Sequence, residues 1–135
     1  GCNRLQEPVT PTSPLTSAPA ASRFVTAREG KFWLEGEAYY FVGTNFWQGM
    51  ALGMDGEGGD RARLVAELDA LQQLGVTNLR IMASSEGPDT EPYRMRPALM
   101  IAPGEYNLAV LDGLDYLLAQ MGARGMKAVM VLTNY

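Results

Sequence analysis

An α/β fold that opens a (β/α)8 TIM barrel, led in by a β-hairpin and incomplete as given, is what this sequence predicts. Three observations predict it. Short apolar runs alternate with amphipathic helical stretches from residue 24 onward. Each helical stretch stops at a glycine just before the next apolar run. The connections after the runs are long, and those before them are short. Parallel strands need helical crossovers of this kind, and a barrel builds its functional surface from the loops that follow its strands. A doubly wound sheet can begin the same way, but its phosphate-binding glycine loop is missing here. GMDGEGG, residues 53–59, carries Asp55 and Glu57, which would repel phosphate.

Taken in order, FVTAREGKFWLEGEAYYFVGTNFW (residues 24–47) reads as three short strands. Glu29-Gly30 turns the first into the second, and Glu35-Gly36-Glu37 turns the second into YYFVG. Tyr39 to Gly43 is apolar on both faces, which predicts a strand covered on both sides. A Gly-rich loop, QGMALGMDGEGG, follows. Asp60 then caps a helix, RARLVAELDALQQLG, with the stripe Leu64, Leu68, Leu71 and Leu74 and with Gly75 at its end. The strand VTNLRIM begins at once. After a long loop, Asn107 caps a second helix with the stripe Leu111, Leu114, Leu118 and Met121, ending at Gly125 before the strand MKAVMVL. A complete barrel needs about 250 residues. With three barrel strands in view, the sequence reads as residues 24–135 of a truncated barrel, expected to be unstable or aggregation-prone in isolation.

Residues 1–23 read differently. Gly1-Cys2 followed by a Pro/Thr/Ser/Ala tract resembles the end of a bacterial lipoprotein signal, with Cys2 acylated. Pro8, Pro11, Pro14 and Pro19 would make the tract a disordered, extended spacer between the domain and a membrane. That predicts an extracytoplasmic, lipid-anchored location at a bacterial surface or in the periplasm. The competing reading is a chance Gly-Cys pair at an arbitrary boundary.

Composition removes several chemistries. With no histidine, this stretch holds no Ser-His-Asp or Cys-His nucleophile system and lacks the commonest zinc ligand. A single cysteine forms no internal disulfide. A net charge of −4 argues against a nucleic-acid partner. No apolar run is long enough to span a bilayer.

The chemistry that remains gathers at strand ends. In VTNLRIM, Leu79 and Ile81 share one face while Asn78, Arg80 and Met82 share the other. If Leu79 and Ile81 meet the helix layer, Arg80 points into the barrel near its mouth. A guanidinium there needs a carboxylate or an anionic ligand. It either closes a structural ion pair or holds and tunes a catalytic carboxylate. Asn45 and Trp47, in GTNFW, would reach the same mouth. An amide beside an aromatic plane suits a sugar ring, although Trp47 alone could equally be core. Asn134 and Tyr135 repeat that pairing after the third strand. Glu86, Asp89 and Glu91 lie on one loop and read as a solvated rim, because barrel carboxylates that do chemistry come from different strand ends.

Residues 24–47, then LGVTNLRIMASSEGP, then RGMKAVMVLTNY together resemble the opening of a glycoside hydrolase family 5 enzyme, and within it the endo-β-1,4-mannanases. The resemblance implies a barrel whose bottom is closed by the hairpin. It implies retaining hydrolysis of β-mannan, galactomannan or glucomannan by two glutamates, with no cofactor and no metal. Arg80 matches the arginine the family keeps beside its nucleophile, and Trp47 an aromatic of the sugar cleft. Asn134 and Tyr135 match the cleft segment after the third strand. Met82 departs from the aromatic that many mannanases carry there. The family's acid/base glutamate ends the fourth strand and its nucleophile the seventh, so both would lie past Tyr135. Two alternatives stand beside this reading: a surface lipoprotein that binds polysaccharide without cleaving it, and an unrelated barrel acting on phosphorylated metabolites.

Overall fold

The computed structural model describes residues 23–90 and 92–133, which fall into two units divided between Tyr40 and Phe41. The first unit is an antiparallel meander of β1 (Thr26–Arg28), β2 (Lys31–Leu34) and β3 (Glu37–Ala38). Both connections are two-residue turns, Glu29-Gly30 and Glu35-Gly36, with positive φ at all four residues. Such turns match the twist of the flanking strands, so short strands can pair in register. Arg28 stacks over the Trp33 ring at 4.2 Å, and Thr26 pairs with Trp33 across the ladder. The predicted hairpin is thus a three-stranded meander.

The second unit carries the parallel sheet: β4 (Gly43–Asn45), β5 (Asn78–Met82) and β8 (Lys127–Val131), in the order β4-β5-β8. The predicted strand Tyr39–Gly43 is not formed as expected. Tyr40 and Val42 are 81% and 62% exposed, and the ladder starts at Gly43. The Val42 carbonyl accepts from both Thr77 (3.0 Å) and Asn78 (3.3 Å), where the two segments first meet. A continuous apolar run identified the segment but not where its pairing begins.

Between β4 and β5 lie α1 (Gly49–Leu52) and α2 (Arg61–Gln73). The short helix α1 occupies what the sequence suggested was a Gly-rich loop, and it buries Met50, with Leu52 and Met54 beside it, in the core. Asp60 caps α2 as expected, its carboxylate accepting from the Arg63 amide at 2.9 Å. Leu64 and Leu68 are fully buried, but Leu74 is 77% exposed. The helix ends at Gln73, so Leu74 falls off the stripe at the cap, before Gly75 with φ 80°.

The long connection after β5 holds a hairpin that the sequence reading missed: β6 (Met100–Ala102) and β7 (Glu105–Tyr106), joined by Pro103-Gly104. The Pro-Gly pair, with φ 80° at Gly104, is the signature of a type II turn. Next comes α3 (Leu108–Ala123), capped by the Asn107 side chain on the Ala109 amide at 3.0 Å. Its buried stripe is Val110, Gly113, Leu114, Leu117 and Met121. The predicted members Leu111 and Leu118 sit at its margin, partly buried.

That rotation follows from a close crossing with the α1 segment. A Cβ on Gly113 would strike the Met50 carbonyl oxygen and come within 2.8 Å of the Met54 nitrogen. A Cβ on Gly53 would strike the Gly113 carbonyl oxygen. Two glycines therefore let backbone meet backbone, and α3 turns that face inward.

Helices α2 and α3 run parallel on the same side of the sheet. Arg61, at the start of α2, pairs with Asp112 near the start of α3 (2.7 Å) and stacks on Tyr116 (4.1 Å). At the other end, Arg124 closes α3 and pairs with Asp69 of α2 at 2.7 Å. Beneath them Leu79 and Ile81 of β5 are fully buried in one cluster with Leu64, Leu68, Val110 and Leu117. Among the described residues, no helix is long and apolar enough to cross a membrane.

Two substitutions on one helix test this packing. Gly113→Ala should destabilise the protein by about 1–3 kcal/mol through overpacking. Gly122→Ala, where a Cβ meets nothing within 4 Å, should stabilise it by roughly 0.5–1 kcal/mol through helix propensity. Urea denaturation midpoints read both, and equal effects would refute the crossing.

Candidate functional site

The register of the sheet assembles the site. Asn45 is opposite Arg80, and Arg80 is opposite Val129, so the three form one row across β4, β5 and β8. Arg80 is exposed between the fully buried Leu79 and Ile81. Alternation therefore does as the sequence implied: the apolar pair meets the helices, and the guanidinium leaves from the opposite face. Arg80 Nη1 donates to Asn45 Oδ1 at 3.5 Å, a long contact at the outer limit of a hydrogen bond. Around it lies an open depression of about 290 Å³, lined by Phe41, Gly43, Thr44, Asn45, Asn78, Arg80 and Val129. Among the described residues Arg80 forms no salt bridge.

The chain leaves β4 at the same end. The Phe46 amide donates to the Arg80 carbonyl at 2.9 Å, extending the ladder by one bond, and Trp47 follows at 51% exposure. The structure thus brings Asn45 and Arg80 into contact and starts Trp47 from the same strand end. Asn134, Tyr135, Glu91 and Cys2 lie outside the described residues. Met82, on the Arg80 face of β5, pairs with Val131 and is 8% exposed. Asn78, buried at 5%, lines the depression, although the sequence reading gave it no role beyond sharing the Arg80 face.

The acidic loop after β5 organises itself. Asp89 Oδ1 accepts from the Ala98 amide at 2.6 Å, and Ser85 Oγ accepts from the Leu99 amide at 2.8 Å. Gly87 and Met100 exchange a further bond, from the Gly87 amide to the Met100 carbonyl at 2.8 Å. Ala98 and Leu99 are buried, so their amides need these partners. Glu86 is exposed and joins Met100 in an isolated parallel bridge. Asp89 accordingly holds the loop base, and neither acid is brought to Arg80. Among the described residues no group of His, Cys, Asp or Glu is placed to hold a metal ion.

Residues 22–135 match the family model described as GH family 5 beta-mannosidase-like. The chain belongs to that family. Among solved structures, the glycoside hydrolase family 5 mannosidase of Rhizomucor miehei is 49% identical, with a TM-score of 0.80 over 87% of this chain and 29% of that one. A variant of the same enzyme, solved with mannosyl-fructose, is 51% identical with a TM-score of 0.78, over 82% of this chain and 27% of that one. Mannan endo-1,4-beta-mannosidase 1 of Oryza sativa subsp. japonica is 32% identical over 82% of this chain and 24% of its own length. The chain thus spans about a quarter of the curated relatives it matches. The family is one of (β/α)8 barrels, and this family 5 chain forms a partial α/β piece of that kind, with β4, β5 and β8 side by side and α2 and α3 on one face.

If Asp89 is a loop anchor, Asp89→Ala should release the Ala98 amide to faster hydrogen exchange. Glu86→Gln should leave the exchange of that amide unchanged. Unaltered exchange in Asp89→Ala would remove that assignment.

Proposed function

We propose that this chain is the opening part of a (β/α)8 glycoside hydrolase that cleaves β-mannosidic bonds in mannan-type substrates. The observation that supports it most is the sequence and fold likeness to a family 5 mannosidase over nearly all of residues 22–135. The row Asn45–Arg80 agrees with it, since a guanidinium on the uncovered face of the sheet is suited to an anionic partner. In the complete enzyme the depression around Arg80 is the floor of the sugar cleft. Two carboxyl groups from later strands, about 5–5.5 Å apart, perform double displacement with retention. Arg80 holds the nucleophilic carboxylate ionised, and its planar fork fixes the direction of that carboxylate. Trp47 stacks a sugar ring, and the sequence pattern of Asn134 and Tyr135, an amide beside an aromatic, supports a further sugar contact from those two residues. The sequence pattern at Gly1-Cys2 supports acylation of Cys2, with residues 1–23 as a spacer from a bacterial membrane.

The enzyme attacks internal β-1,4 bonds of mannan, galactomannan or glucomannan. A second reading, removal of terminal mannosyl units from short chains, is favoured by one contrast. Identity is 49% to the Rhizomucor miehei mannosidase but 32% to the rice endo-acting relative. The fungus's endo-1,4-beta-mannanase matches at 20% identity, a likeness of fold alone.

In the complete enzyme Arg80→Lys should lower turnover of mannan or mannobiose by about 100-fold or more, because lysine cannot reproduce the two-pronged grip. Activity near wild type on both would end the Arg80 assignment. The product profile divides the two readings: a rapid fall in galactomannan viscosity marks internal cleavage, and free mannose without that fall marks terminal cleavage. Mass spectrometry of the N-terminal peptide tests the lipid on Cys2.

A further inference from the structure

We infer that Asn45 acts as a positioning residue for Arg80 rather than as a group that binds the sugar. The inference rests on the proposed hydrolase reading and deepens it. The parallel register sets Asn45 directly opposite Arg80, and the Asn45 amide oxygen receives Nη1 at 3.5 Å. On the other side of Arg80 the same row carries Val129, whose side chain offers no polar atom. The guanidinium is therefore flanked by one acceptor and one apolar side chain. An arginine has five donors. Asn45 engages one of them, at Nη1, and Arg80 itself lines the open depression.

The backbone fixes this arrangement from below. Phe46 donates to the Arg80 carbonyl at 2.9 Å, so β4 cannot slide along β5 without breaking the bond that follows Asn45. Asn45 thus meets Arg80 at a set height, and its side chain limits how the guanidinium rotates. The contact is long and contributes little to stability. Its effect is on direction, and reaction rates are far more sensitive to small misplacements than folding is. A neutral amide also suits the task. It orients the guanidinium without neutralising it, so the full positive charge remains for the carboxylate that Arg80 serves.

The test uses the complete enzyme and three variants: Asn45→Ala, Asn45→Asp and Arg80→Lys. Asn45→Ala should lower kcat about tenfold with KM changed less than about twofold. The acid limb of its pH–rate profile should move to higher pH. A less well aligned guanidinium holds the nucleophile's pKa down less, so the carboxylate protonates sooner as pH falls. Asn45→Asp, nearly the same shape, should be slower than Asn45→Ala, because its carboxylate pairs with Arg80 and takes up its charge. A raised KM with unchanged kcat in Asn45→Ala would make Asn45 a sugar contact and overturn the inference. So would an Asn45→Asp variant as active as wild type. An inactive Arg80→Lys beside unaffected Asn45 variants removes this inference alone, an Arg80→Lys as active as wild type removes the Arg80 assignment with it, and a complete wild-type protein inactive on both mannan and mannobiose removes the hydrolase reading beneath them. Thermal melts of each variant separate loss of folding from loss of alignment.

Discussion

The two faces of β5 are kept distinct by what packs on one of them. Leu79 and Ile81 are fully buried under α2 and α3, and because side chains alternate along a strand, Arg80 between them has to emerge on the opposite side. A shift of one residue in register would put the guanidinium into the helix layer and the two aliphatic side chains into the open. Burying an unpaired charge costs several kcal/mol, and exposing two large aliphatic side chains forfeits roughly 1.5–3 kcal/mol each. Both penalties oppose the slip. The position of Arg80 is therefore set by its apolar neighbours, and Asn45 and Val129 are set in turn by pairing with it.

The helix layer that enforces this face depends on a second constraint, the contact between the α1 segment and α3. With Gly53 and Gly113 at the crossing, the backbones touch, and Met50 reaches full burial between the layers. The ion pairs at the rims are of lesser weight. Asp112 and Asp69 are each half exposed or more, and exposed pairs contribute about 0–1 kcal/mol. Arg61 has a further role. Its Nε donates to the Gly53 carbonyl at 2.8 Å, its Nη2 meets Asp112, and its plane lies on Tyr116. One side chain thus ties the end of α1 to the start of α3 from its own place on α2.

The parts of the fold legible in the sequence were those fixed by local chemistry. Asp60 and Asn107 announced helix starts, Gly75 and Gly125 helix ends, and each does so in the structure. The alternation in VTNLRIM assigned the two faces of β5 correctly. Features that depend on partners distant in sequence were not legible. The inward turn of α3 toward Val110 and Gly113 follows from the approach of α1, which no periodicity within α3 records. The start of the ladder at Gly43 depends on where Thr77 and Asn78 meet Val42. The hairpin β6–β7 is a different case: Pro103-Gly104 after the apolar run Met100–Ala102 is a local turn signal. At the site, the Arg80 face could be read, but its contact with Asn45 required the register between β4 and β5.

That contact bears on why the position holds arginine at all. The row contains one amide and one valine, so nothing in it offsets a positive charge. A lysine could satisfy a single anion as a point charge, yet its flexible stem would let the ammonium wander, and the Asn45 oxygen would compete for it. A guanidinium can give one N–H to Asn45 and keep two parallel donors for a carboxylate arriving from above the sheet. The geometry therefore favours a planar, two-oxygen partner over a spherical anion or a lone hydroxyl. A carboxylate has that shape, and in a retaining glycosidase the carboxylate that must remain ionised until it attacks is the nucleophile.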